Sequence, residues 1–343
     1  MLDMNNIYKY LKAFKKIKSR RIQLFGILLM HILKRRYIGI FIDPILGCNF
    51  RCRMCYFSDN EKRRSMHGAL TIEDIDCIAH AFFHRALKLQ IGCGAEPTLS
   101  KHLLYLIQKG KEAGIPYISI TTNGGLLTYE HLETYIKSGL SEITLSCHGI
   151  KKETYEYFMP GGEYNHFTKL LKDLTLLKTN YPTFKIRINY TANEDNVTEL
   201  ALFPTLFKRT PIDVLQIRPI QRIGESEYKK FSTKGILSIY DQILLPLVQF
   251  CHTQNIICVI PNKSDLSELH SNPQAGVQYI EELLYCNISP HNRWRSDFEW
   301  ETDTFESYCK RHRWALEILK HIVHPSRTLA HDEVTKMMSY SIK

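Results

Sequence analysis

The chain has 343 residues, 44% hydrophobic and 23% charged. That is ordinary globular composition, enough for one large α/β domain with extensions or for two domains, and it excludes a disordered or fibrous chain. Of the formal net charge of +10, residues 1–43 carry +8, as ten Lys/Arg against Asp3 and Asp43. The basic character thus belongs to the N-terminal segment and gives no support to nucleic-acid binding by the remainder.

In chain order, apolar residues recur at helical spacing from Ile7 to Ile17 and again from Phe25 to Ile32, with Ser19-Arg20-Arg21 dividing two helices. The run Phe25–Leu33 is about half a bilayer span, so a transmembrane helix is not expected. Residues 6–36 either pack on the main domain or touch an anionic membrane surface. Residues 1–20 are too charged for a secretory signal. The expected protein is reduced and cytoplasmic, with attachment to the inner face of the membrane as the sharper alternative, and its close-set thiols are metal ligands or reactive groups.

From residue 38 strands and helices alternate. Strands are expected at residues 38–43, 87–92, 116–121, 141–146, 184–190, 214–219 and 256–260, with helices between them. Thr71 and Asp74 form an N-terminal capping box, and Gly139 is placed for a left-handed helix end. Alternation every 25–35 residues implies βαβ units and a parallel sheet or barrel. Three regions follow: a basic amphipathic helical segment (1–37), a βα core (38–262) and an irregular extension (263–343). Residues 293–314, rich in aromatic and basic side chains, either cover the barrel mouth or form a packed extension.

The densest chemistry is Cys48-Asn49-Phe50-Arg51-Cys52-Arg53-Met54-Cys55-Tyr56, spaced C-x3-C-x2-C in the loop after the first strand. In parallel α/β folds, sites are built at the carboxyl ends of strands. Structural zinc wants a closed set of four ligands, and no second cysteine pair stands at useful spacing. The open readings are zinc with a distant fourth ligand, three incidental cysteines, or an iron–sulfur cluster with one iron left for an exogenous molecule.

The cysteine motif, followed by an aromatic and set in repeated βα units, resembles the radical S-adenosylmethionine (radical SAM) superfamily over residues 38–260. The resemblance implies an α/β fold, a partial (β/α)6 TIM-like barrel. It also implies a [4Fe-4S] cluster on Cys48, Cys52 and Cys55, with S-adenosyl-L-methionine chelated at the open iron. An external donor such as flavodoxin or ferredoxin supplies an electron. The sulfonium is then cleaved, and the 5′-deoxyadenosyl radical takes hydrogen from the substrate.

Further motifs carry the resemblance residue by residue. Tyr56 contacts the adenine through its backbone. Gly94-Ala95-Glu96-Pro97 is similar to the family's Gly-Gly-Glu-Pro, with Glu96 receiving the methionine amino group. Thr121-Thr122-Asn123-Gly124 is similar to its T-x-N-G segment. Ser146 stands near the methionine carboxylate, and His148 replaces the usual aspartate, a weak acid/base candidate. The arginine that several branches carry about a dozen residues later is absent, which leaves the carboxylate to Ser146, the cluster or Arg187. Arg187 and Asn189 alternate with isoleucines and are expected to face inward. Cys251, Cys258, Cys286 and Cys309 lack paired spacing, so a SPASM-type auxiliary cluster is not expected. The expected substrate is an unidentified peptide or envelope sugar or lipid precursor. The alternative is a non-catalytic iron–sulfur or zinc-binding scaffold of the same fold.

Overall fold

The computed structural model describes residues 17, 19–222, 224–267, 275–324 and 340–342. The first expected helix, Ile7 to Ile17, lies outside them except for its last residue, as does most of the tail after Pro325. Seven strands run parallel in sequential order: β1 (Ile38–Ile42), β2 (Ala86–Ile91), β3 (Tyr117–Thr122), β4 (Glu142–Cys147), β5 (Lys185–Ala192), β6 (Val214–Pro219) and β7 (Ile257–Pro261). Each fell within two residues of its expected place, because each is a short apolar run bounded by polar turns.

The sequence pattern beyond residue 262 concealed an eighth parallel strand, β8 (Tyr285–Ser289), which joins the free edge of β1. The order β7-β6-β5-β4-β3-β2-β1-β8 is that of an eight-stranded βα barrel whose β7–β8 seam is not hydrogen-bonded. The six-unit core expected from sequence is thus longer, and still open. Both seam edges are capped by antiparallel partners, β9 (Asn292–Arg293) on β8 and β10 (Tyr340–Ile342) on β7. Capping removes exposed rows of backbone donors and acceptors.

One strand face packs against helices and the other looks into the barrel. Ile38, Ile40 and Ile42 of β1 are fully buried against the helices, whereas Gly39 and Phe41 face inward opposite Lys88 and Gln90. The capping box forms as expected: Thr71 accepts from the Asp74 amide at 3.1 Å and Asp74 from that of Thr71 at 2.9 Å. Helices expected at 197–208 and 236–253 are broken into short turns near Pro204 and Pro246, which cannot complete the helical ladder.

Arg36, counted in the basic N-terminal segment, is structural. Its guanidinium donates to the carbonyls of Phe83 (2.6 Å), Ala86 (3.0 Å) and Ala113 (2.5 Å), tying helix ends to the base of β2. The aromatic residues of the C-terminal region pack on the same end. Trp294, Phe298 and Phe305 stack about Phe82, and Phe305 also meets Tyr37, which precedes β1. Those residues adjoin the amino ends of β1 and β2, so this cluster is a packed extension and not a cover for the mouth.

Candidate active site

Every residue proposed from sequence, except Arg187 and Asn189 inside β5, lies at or beyond the carboxyl end of a strand. The loop after β1 carries Cys48, Cys52 and Cys55, all free and half-buried. Backbone bonds clamp this loop on two sides. The Arg51 and Arg53 amides donate to the carbonyls of Pro160 (2.8 Å) and Phe158 (3.0 Å), and the Tyr228 amide donates to Arg53 (2.8 Å). Phe50 is buried between Gly125 and Gly162; a Cβ at either glycine would meet its ring at 2.6 or 2.7 Å. Where related branches place an arginine, this chain uses the Phe158–Pro160 backbone to brace the cysteine loop.

The three thiols share one neighbourhood. Burial pushes Cys48 up to about 11, with the Glu96 and Cys55 charges adding to it. Cys52 is raised further by burial and by the charges of Cys48 and Cys55. Asn123 at the end of β3 donates to Cys48 Sγ (3.7 Å) and to Asn49 Oδ1 (2.8 Å), while its own Oδ1 accepts from the Gly125 amide (2.8 Å). Asn123 therefore fixes the first thiol.

The loop after β2 is organised by two carboxylates, half-buried Asp43 and buried Glu96. Asp43, just past β1, accepts from the amides of Cys93 (2.7 Å), Gly94 (3.1 Å) and Ala95 (3.3 Å), a backbone nest around a carboxylate. The Tyr56 hydroxyl donates to the Gly94 carbonyl. A Cβ on Gly94 would lie 2.7 Å from that hydroxyl and displace it, whereas Ala95 only donates its amide. Glu96, 2% exposed, accepts from the Thr98 hydroxyl (2.6 Å) and amide (3.2 Å), the Thr122 hydroxyl (2.6 Å) and the Asn123 amide (2.8 Å). Three of these bonds reach Oε1 and one reaches Oε2. Glu96 ties the β2 loop to the end of β3, and its remaining acceptor capacity lies on Oε2. Burial raises its pKa despite these donors.

Ser146 and Asn189 face each other across the β4–β5 ladder, on the face that looks into the barrel. Asn189 is buried and its Oδ1 has no partner; the same holds for His148 Nδ1, two residues beyond Ser146. Burial pushes His148 down to about 4, with the Arg218 charge contributing. Arg187 also faces inward but one layer deeper, opposite Thr144 and Val214. There it donates to Gln216 Oε1 and lies 3.9 Å from Glu142. The structure brings Asn189, and not Arg187, level with Ser146.

Sequence reasoning missed Asp43, Lys88, Glu142 and the Asn193–Asn196 loop. Asp43 had a visible signal, a carboxylate ending an apolar strand. Asn196 donates to the carbonyls of His148 and Thr191 (both 2.9 Å), and the Asn193 amide donates to Asn196 Oδ1 (2.8 Å). The pair fixes the ends of β4 and β5.

Because folding holds His148 neutral, acid destabilises the native state. The unfolded histidine protonates near pH 6.5, whereas the folded one resists until about 4. Stability from this group is complete above pH 6.5 and is lost as pH falls toward 4, by up to about 3 kcal/mol. Urea melts between pH 7 and 4 should show a steeper loss for wild type than for His148→Gln; equal slopes would contradict the assignment.

The donor set is one of soft thiol ligands. Among the described residues, no three His, Cys, Asp or Glu groups converge closely enough to hold a single metal ion. Thiolates are the ligands of iron–sulfur clusters, and Cys48, Cys52 and Cys55 lie near enough for the charge of one to raise the pKa of another. The buried, partnerless atoms of Asn189 and His148 fit a polar ligand entering from the strand ends. Cys251, Cys258, Cys286 and Cys309 are buried among apolar side chains.

The fold and site together define an open parallel βα barrel of the TIM type with a three-thiol loop at its carboxyl end. Comparison with known proteins makes the class specific: residues 42–193 match the family described as the Radical SAM superfamily. Radical SAM enzymes use a [4Fe-4S] cluster and S-adenosyl-L-methionine. A probable GTP 3′,8-cyclase of Sulfurisphaera tokodaii is 25% identical over 245 residues, covering 71% of this chain and 70% of that protein. A GTP 3′,8-cyclase of Peptoclostridium acidaminophilum is 29% identical over 140 residues, but the match covers only 42% of its length and 39% of this chain. Among solved structures, SuiB of Streptococcus suis bound to S-adenosylmethionine superposes with a TM-score of 0.60 at 15% identity, covering 81% of this chain and 67% of that one. Native anSMEcpe with bound AdoMet gives 0.53 at 17%, covering 70% and 69%. These superpositions agree on the fold. Among the described residues no helix is long and apolar enough to cross a membrane.

Proposed function

We propose that this protein cleaves S-adenosylmethionine reductively to activate a substrate held in the barrel. The observation that carries the reading is one constellation: three half-buried thiols on a braced loop after β1, with the partnerless Asn189 Oδ1 on β5 and His148 Nδ1 just past β4. When bound, the cluster and S-adenosylmethionine supply a 5′-deoxyadenosyl radical that abstracts hydrogen. Cys48, Cys52 and Cys55 would hold the cluster. Asn123 orients Cys48, and Tyr56 with Asp43 shapes the Gly94–Glu96 backbone against which the methionine end would lie. Ser146 and Asn189 supply polar contacts on the opposite wall. His148, neutral at working pH, offers a hydrogen bond without adding charge.

The barrel interior bears on the substrate. The Lys88 ammonium lies over the Phe41 and Tyr117 rings at 5.9 and 5.7 Å, and burial lowers its pKa to about 8. Lys88 and Arg187 both interact with Glu142, and the Arg218 charge reaches His148. These interior cations favour a substrate with an anionic group, which a phosphorylated envelope precursor, an acidic peptide or a nucleotide can supply. Reduction after anaerobic reconstitution separates this reading from a zinc scaffold. Iron and sulfide near four each per chain, with an electron resonance signal that shifts on adding S-adenosylmethionine, support it; stoichiometric zinc with little iron refutes it.

A further inference from the structure

Helix Arg20–Ile32 packs side by side with helix Trp314–Val323. Leu24, Ile27 and Leu28 of the first and Ile318 of the second face the protein. The outer stripes remain apolar. Ile22 (59%), Phe25 (59%), Leu29 (47%) and Ile32 (61%) are exposed at helical spacing on one helix, and Leu316, Leu319 and Val323 on the other. With Leu33, these are eight of the fifteen large apolar side chains exposed among the described residues. Exposed apolar residues scattered singly need no explanation, but more than half of them gathered on two adjacent helices do.

The charge around this face is one-sided. Helix Arg20–Ile32 has no acidic residue, Arg21, Lys34 and Arg35 are exposed at its ends, and Lys9, Lys12, Lys15 and Lys16 precede it in sequence. The single carboxylate on the second helix, Glu317, is paired with Lys320 at 2.6 Å. An apolar stripe rimmed by cations suits an anionic lipid headgroup layer, into which the aliphatic side chains sink while Lys and Arg meet phosphate. A second copy would bring like charge against like. At thirteen residues the first helix is about 20 Å long, too short to span a bilayer and suited to lying in its plane.

We propose that the paired helices Arg20–Ile32 and Trp314–Val323 form a plate that seats the protein on an anionic membrane surface. The plate leads into the amino end of β1, whereas the cysteine loop leaves its carboxyl end, so seating does not use the residues of the active site. The proposal does not depend on the cluster.

The test is co-sedimentation of the full chain with phosphatidylcholine vesicles, with and without phosphatidylserine, for wild type and for the double variant Phe25→Glu, Leu319→Glu. Wild type should pellet with the phosphatidylserine vesicles, and much less in their absence or at high salt. The double variant should bind at least tenfold more weakly, with its circular dichroism and iron loading unchanged. Leu245→Glu, an exposed apolar residue elsewhere, controls for added charge and should pellet like wild type. Wild type that stays in the supernatant, a double variant that pellets undiminished, or a dimer that the double variant dissolves without any vesicle binding would each overturn the proposal.

Discussion

Alanine at Cys48, Cys52 or Cys55 should abolish S-adenosylmethionine cleavage, reducing 5′-deoxyadenosine to the level of a no-enzyme control. Each thiol is one of three on a loop whose backbone is fixed from both sides, and no other thiol stands ready to replace it. Cys77, the next in sequence, lies on helix Ile72–Ile78, and Cys93 lies in the loop after β2 with its amide held by Asp43. The loss is specific to chemistry. Each substitution removes one half-buried sulfur and costs about 1 kcal/mol, so the variants should still fold with melting points only a few degrees lower. Cys251→Ala, in the buried core far along the chain, should keep full iron content and turnover. Iron retained at wild-type level in Cys52→Ala would remove the motif from the site.

The second large effect belongs to Glu96, and it is first a stability effect. Four donors end on this 2% exposed carboxylate. Alanine leaves at least two of them buried without an acceptor, at about 1–3 kcal/mol each, so Glu96→Ala should lose on the order of 4 kcal/mol in urea denaturation. Glu96→Gln keeps shape and one acceptor oxygen and should lose about half as much. The folded glutamine variant should load iron normally and bind S-adenosylmethionine about tenfold more weakly, since the loop that Glu96 pins no longer holds its place. A glutamine variant with wild-type stability and affinity would contradict the role. Burial raises the Glu96 pKa, so ionising it costs the folded state, and that cost recedes as pH falls toward its pKa.

Much of this was legible from sequence because the information was local. An apolar run ends where its polar turn begins, and Thr71 with Asp74 announces a cap three residues wide. The cysteine spacing, the Gly94–Pro97 stretch and Asn123 likewise declared themselves within a few residues. What escaped depends on contacts between distant segments. The β8 strand is a short stretch whose partner, β1, lies more than two hundred residues earlier. The nest on Asp43 needs three amides from another loop, and nothing near residue 43 encodes them. Arg187 and Asn189 were rightly placed on one face, but only the register with β4 shows that Asn189 alone is level with Ser146. Arg36 read as one more surface cation, yet it holds three carbonyls in place.

The central claim is that the three thiols serve a cluster that spends S-adenosylmethionine. It is tested most directly by quantifying 5′-deoxyadenosine and methionine from the anaerobically reconstituted protein given dithionite and S-adenosylmethionine. The account predicts both products in equal amounts, increasing with time and absent from Cys52→Ala. A fully loaded cluster that yields neither product would contradict it.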